Sequence, residues 1–306
     1  MPTFEAPTFG NPAAALGFVG FVRFDQTVVR ATSCDIRLMQ EVSKEDVVDS
    51  RFDRTVYRLG PKIVEGSVGF PAIFGDATSS VTETLYNLAV RRNSLDGHLG
   101  LTTIDVKYTA NNATFRYGNN LVDQFTFAVA QQEIVNITVA VIGSARSDQT
   151  FQPPAGIDNR RVVTWNDAVV EIFGTIDVKG EFIRSFEVTI ANNAERFYTL
   201  NGALAPQDIA PTKRDVTGNL ALMGRHPQLA ELALGNEDRC TETNAIKFGY
   251  VASADCGGNF CRQLPNCVFE IEEIALTNDL FESTVNYHSL PAASTSDDPL
   301  DSPCTF

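Results

Sequence analysis

Residues that do chemistry are scarce in this chain. It holds three histidines and one tryptophan in 306 residues. His98, His226 and His288 form no HExxH pair and stand beside no nucleophile, and His226 directly precedes Pro227, a helix-start position. No nucleophile elbow is present: Gly66-Ser67-Val68-Gly69 has the outline of one but sits in a strand pattern. No glycine-rich loop ends in Lys-Ser or Lys-Thr to cradle a phosphate. Trp165 alone supplies too little aromatic surface for a sugar cleft served by paired carboxylates, and reads as core or linker packing. Glu270, Glu272 and Glu273 read as a solvated stripe, since Glu270 and Glu272 share the outward parity of one strand. Asn112-Ala113-Thr114 and Asn136-Ile137-Thr138 match the glycosylation pattern, but nothing points to a secretory route. These absences leave no catalytic residue, cofactor or metal site to assign, and no enzyme is expected.

Basic runs are also missing. A net charge of −14 without clustered Lys and Arg excludes phosphate binding as a primary role. No apolar run approaches the roughly 18 residues of a membrane helix, and Met1-Pro2-Thr3-Phe4-Glu5 lacks the basic start of a signal peptide. What remains is an ordinary globular composition, 43% hydrophobic and 20% charged. The length suits two domains, each able to bury roughly 68–70% of its unfolded surface.

The chain contains itself twice. Ser33-Cys34-Asp35-Ile36-Arg37-Leu38 returns in character as Ser185-Phe186-Glu187-Val188-Thr189-Ile190, 152 residues on. Val64-Glu65-Gly66-Ser67-Val68-Gly69-Phe70 returns as Val216-Thr217-Gly218-Asn219-Leu220-Ala221-Leu222 at the same offset. An even offset keeps every strand side chain on its face. Ile104, Val106 and Tyr108 match Ile246, Phe248 and Tyr250, 142 on, and Phe125, Phe127 and Val129 are aligned at that offset with Cys267, Phe269 and Ile271. A duplicated unit points to equivalent places in an assembly, not to an active site.

Short alternating strands dominate, as in antiparallel sandwiches or barrels. Cys34, Ile36 and Leu38 are expected to face inward, opposite Ser33, Asp35 and Arg37. Gly66 and Gly218 are expected to mark a bulge or a close backbone approach. Leu85, Leu88 and Ala89 predict a helix within residues 82–92, and Pro227 to Gly235 predict its counterpart. The fold class is therefore mainly β: two tandem β-sandwich or barrel domains, each with one flanking α-helix. They are placed at residues 1–150 and 151–293, with the join near Gln152-Pro153-Pro154-Ala155-Gly156 and a tail, 294–306, that is flexible or a clasp.

A long polar stretch falls at the same place in each repeat, Gln40–Lys62 and Ala191–Arg214. Connections of that length are uncommon in compact domains unless functional. The first alternates apolar residues (Val47, Phe52, Val56, Tyr57) and reads as a long projecting hairpin. Lys44, Glu45, Asp46, Arg51, Asp53 and Arg54 give it both charges and make it a candidate assembly arm, with Lys213 and Arg214 in the second stretch.

The cysteines crowd into the second half: Cys240, Cys256, Cys261 and Cys267, against Cys34 and Cys304 elsewhere. Their spacing does not form the paired knuckles of a structural zinc site. If Tyr250 faces Cys267 across a hairpin, Cys256 falls opposite Cys261 and the pair can form a disulfide. Cys34 and Cys267 have inward parity and read as free buried thiols.

Arg184 to Asn193, Ala210 to Leu222 and Glu65 to Phe70 together resemble the tail tube proteins of long-tailed bacteriophages. In that family a strand ends at a polar Asn turn, a long loop follows, and a strand of the form V-x-G-x-apolar returns before a helix. The resemblance implies a structural virion protein of the viral tail, assembled in the host cytoplasm, whose sheets join into rings. It implies stacked rings as the conduit for genome ejection, with DNA passing through unbound. Duplicated members form trimer rings with pseudo-sixfold symmetry; a hexamer is the second choice. Tape measure protein, sheath and tail terminator are the partners it implies. The rival reading is another β-rich virion decoration or receptor-binding protein.

Overall fold

The computed structural model describes residues 20–25, 27–45, 56–74, 81–92, 98–108, 113–148, 161–174, 182–200, 203–223, 244–251, 259–271, 282–290 and 300. The first half supplies β1 (Gly20–Phe24), β2 (Thr27–Ala31), β3 (Ser33–Cys34), β4 (Arg37–Glu45), β5 (Val56–Pro71), helix α1 (Val81–Val90), β6 (Thr102–Tyr108), β7 (Ala113–Ala130), β8 (Asn136–Gly143) and β9 (Ala145–Asp148). The second supplies β10 (Ala168–Phe173), β11 (Ile183–Ala191), β12 (Glu195–Phe197), β13 (Asp208–Ala210), β14 (Asp215–Met223), β15 (Asn244–Tyr250), β16 (Phe260–Ile271) and β17 (Glu282–Ser289). The protein is mainly β, as expected, and its strand pairs are antiparallel. All strands but β12 and β13 join one 15-stranded sheet.

The alternation read from the sequence holds. Ser33, Asp35 and Arg37 are exposed, while Ile36 is buried and Cys34 and Leu38 pack against the core. α1 is the one helix among the described residues, and it turns Leu85, Tyr86 and Ala89 inward. Leu88 lies at the edge of that buried face rather than within it. The second expected helix, Pro227–Gly235, falls outside the described residues, as does the join at residues 152–156.

The duplication is written in the strand pairing. The first half builds the ladder β1-β6-β7-β8-β5-β4 and the second builds β10-β15-β16-β17-β14-β11 in the same order. Registers repeat as well. Cys34 faces Val68 and Leu38 faces Val64; 152 residues on, Phe186 faces Leu220 and Ile190 faces Val216. Tyr108 faces Gly20, and Tyr250 faces Ala168.

One alignment needs correction. The pairing makes Cys267 the counterpart of Asn120, not of Phe125: Thr102 faces Asn120 before a register shift, and Asn244 faces Cys267 before the same shift. The offset there is 147, because the β15–β16 loop holds five more residues than the β6–β7 loop. Insertions collect in turns, where no ladder is disturbed. Asn119 and Asn266, the equivalent residues beside the shift, share a left-handed backbone with φ of 52° and 49°, a conformation asparagine tolerates.

The two halves share one core. Phe127 packs on Phe186, Phe248 and Phe260, with ring centroids 5.4–6.2 Å apart. β7 carries the join: its distal part pairs with β8 on one edge and with β11 on the other.

Candidate assembly surface

Within residues 40–62 the described parts, 40–45 and 56–62, pair as two antiparallel strands. β4 and β5 pair from Arg37–Glu65 outward to Glu45–Val56, with a register shift between Gln40 and Val42. Near the middle of that pairing Val42 faces Leu59, and these side chains are 52% and 61% exposed. Branched apolar residues favour the extended backbone, yet here they lie open to solvent. Lys44 and Glu45 occupy the far end of β4, while Asp46, Arg51, Asp53 and Arg54 lie outside the described residues.

The matching stretch of the second half lies down on the first. Lys62 N–H donates to the Leu204 carbonyl at 2.7 Å, and Arg196 Nη2 reaches the Val64 carbonyl at 3.1 Å and Glu65 at 3.3 Å. Lys213 pairs with Asp215 at 3.1 Å on the surface. Arg214 turns inward and donates to the Val90 carbonyl at 2.6 Å, as Asn192 does to the Ala89 carbonyl at 2.9 Å. Both satisfy carbonyls that the end of α1 leaves without helical partners. Asn192 belongs to the polar turn after β11, but nothing in local sequence could reveal that its target is a helix 103 residues away.

The seam between halves is a register of seven residue pairs, from Ser185–Ala130 to Ala191–Gln124. Phe125, Phe127, Val188 and Ile190 bury one face, and on the other the Thr126 and Thr189 hydroxyls meet at 3.0 Å. Gly66 and Gly218 are points of close approach, as expected. A Cβ on Gly66 (φ +146°) would lie 2.7 Å from the Asp35 carbonyl oxygen. One on Gly218 would overlap the Glu187 carbonyl and the Tyr287 hydroxyl, which are themselves bonded at 2.8 Å.

The expected hairpin register around the cysteines is wrong. Tyr250 faces Phe260, and Cys267 faces Asn244. Cys261 faces Gly249, so the ladder register gives no ground for pairing it with Cys256. Cys261 is disulfide-bonded, and its partner lies outside the described residues, as Cys256 does. Cys34 and Cys267 are free; burial pushes their thiols up to about 11 and about 12. Trp165 is not core: it stands in a turn, 39% exposed. Glu270 is exposed and meets His288 at 3.5 Å.

Among the described residues, β4 pairs only with β5, and Val268 to Ile271 of β16 pair only with β17. Their counterparts β11 and β7 are paired on both sides. Such a chain is a β-rich structural protein organised as a repeated strand ladder. It belongs to the phage tail tube protein family, whose model matches residues 58–222, just over half its length. The match runs from β5 into its counterpart β14 and so takes in both Gly66 and Gly218. A search of curated proteins finds no match. Membership makes this a viral structural protein of the bacteriophage tail, of a structural and not enzymatic family that self-assembles into a tube.

Proposed function

We propose that this chain is the major tail tube subunit: three copies close a ring of six near-equivalent halves, and stacked rings form the conduit for genome ejection. The observation that carries the reading is the repeated ladder with its repeated register. A threefold axis acting on a duplicated subunit produces six similar positions, as a sixfold axis does with single units. The β4–β5 hairpin serves as the assembly arm between subunits or rings, with its charges at Lys44, Glu45, Asp46, Arg51, Asp53 and Arg54. Support comes from the second half, whose equivalent stretch lies against β5 of the first. The protein does no catalysis, takes no cofactor and is assembled in the host cytoplasm. Tape measure protein, sheath and tail terminator are further partners in this reading. Negative-stain averaging of purified rings or tubes tests it. Six lobes per layer are expected; twelve would replace the trimer with a hexamer, and absence of any ring or tube would remove the proposal.

A further inference from the structure

We infer that the ring contact is a strand pairing of defined register: β4 of one copy adds to the open edge of β16 of the next, with Leu38 opposite Ile271 and Met39 opposite Glu270. The inference rests on the ring reading above and specifies its interface. Within one chain, β11 of the second half seats on β7 of the first, with Ile190 opposite Phe125 and Ala191 opposite Gln124. The counterpart of β11, 152 residues earlier, is residues 31–39, which hold β3 and the start of β4, Arg37 to Met39. The distal part of β7 has its counterpart in β16, 146 residues later: Phe125 faces Val139, and Ile271 faces Val285. That displacement is independently fixed by the neighbouring strands, since Gly66 faces Val141 and Gly218 faces Tyr287. Applied to the internal seam, the two displacements carry its last two pairs into described residues, Leu38 with Ile271 and Met39 with Glu270, and so give the stated register.

No strand among the described residues pairs with the outer edge of β4, or with Val268 to Ile271 on the side away from β17. An open edge is a row of unpaired backbone donors and acceptors that templates another strand. The two edges belong to different strands, so the contact is heterologous, and such contacts propagate head to tail until the rotation closes. Side chains agree with the register. Arg37 and Met39 share the outer face of β4, as Val268 and Glu270 share that of β16. Arg37 is exposed and makes no ion pair among the described residues. In the inferred register it lies diagonal to Glu270, a distance of roughly 7–8 Å that long side chains span. The seam thus brings a cation on β4 within reach of an anion on β16.

Cysteine cross-linking tests it. Met39→Cys and Glu270→Cys protein are mixed, assembled and oxidised, with Met39→Cys plus Val268→Cys as the pair two residues out of register and wild type as the background for native thiols. Directly opposed residues fall within the Cα spacing a disulfide accepts. Rapid linkage of 39 to 270 is expected, at roughly ten times the rate of 39 to 268, with the double variant closing into a covalent ring. Separately, Arg37→Glu should weaken assembly roughly tenfold, near 1.4 kcal/mol, and Glu270→Arg should restore it; both sites are exposed, so thermal unfolding should be unchanged. Rings that form by light scattering but show no linkage above wild type, or equal linkage at 268, overturn the register and leave the ring standing. Protein that stays monomeric throughout overturns both.

Discussion

Gly218 and Asp105 show how single residues hold this sheet. A Cβ at Gly218 meets a backbone carbonyl that cannot step aside. Gly218→Ala should therefore destabilise by about 1–3 kcal/mol, the range for overpacking, read from the urea midpoint. Asp105 is buried between two arginines: Arg23 Nε donates at 2.9 Å and Arg116 Nε at 2.7 Å. Burial alone would raise its pKa, but hydrogen bonds from Arg116 and Arg23 outweigh that and hold the carboxyl below its ordinary 3.8. Its contribution is present above that value and lost as pH falls below it. Asp105→Asn should cost about 1.5–3 kcal/mol at neutral pH and flatten the acid limb of the stability profile. The free thiols act at the other end. With folded values near 11 and 12 against an ordinary 9.0, Cys34 and Cys267 favour the folded state below pH 9 and withdraw that support as pH rises through their folded values. Both should resist alkylation at pH 8 until the protein is unfolded, which mass spectrometry of labelled peptides will show.

Between elements, helix α1 is where the halves grip one another. Its C-terminal carbonyls are taken by Asn192 and Arg214 of the second half, and Arg262, on β16, pairs with Glu83 at 2.8 Å while its guanidinium lies 5.1 Å from the Tyr86 ring centre. Leu300 joins them, buried, its carbonyl accepting from Tyr86 at 2.7 Å. Arg214→Ala should lose about 1.5 kcal/mol, a charge-assisted hydrogen bond, measured by thermal or urea unfolding. The paired β4 and β5 contrast with this, since Val42 and Leu59 are 52% and 61% exposed. Replacing their distal part by a tight turn should leave melting nearly unchanged while abolishing stacking. Tubes of normal length from that variant would exclude the arm.

At the scale of the whole molecule, the shared core and the net charge decide behaviour. Phe127 and Phe186 belong to different halves yet their rings pack at a tilt, centroids 6.2 Å apart. Unfolding is expected as one cooperative transition; two resolved transitions in calorimetry would show that each half folds as its own domain. Three copies at −14 each carry −42 formal charges. Phosphate is repelled by such a surface, so the assembled protein should not retard DNA in a gel at about 0.15 M salt, a physiological ionic strength. Micromolar binding there would contradict a conduit.

Strand alternation, the duplication and the two close-approach glycines were legible in the sequence because they are local or periodic. A side-chain period of two shows directly which residues of 33–38 face inward, and an even offset of 152 carries that pattern into the second half. The same reading missed Tyr86, whose burial depends on Phe125 and Phe260 arriving from distant strands. It misplaced Cys267, because register across a hairpin depends on loop length and on a shift at Asn119 and Asn266 that no alternation reveals. It likewise could not show that β11 pairs with β7. Backbone hydrogen bonds carry no side-chain code, so the seam between the halves, and the edges of β4 and β16 that no described strand pairs, were decided only by the tertiary structure.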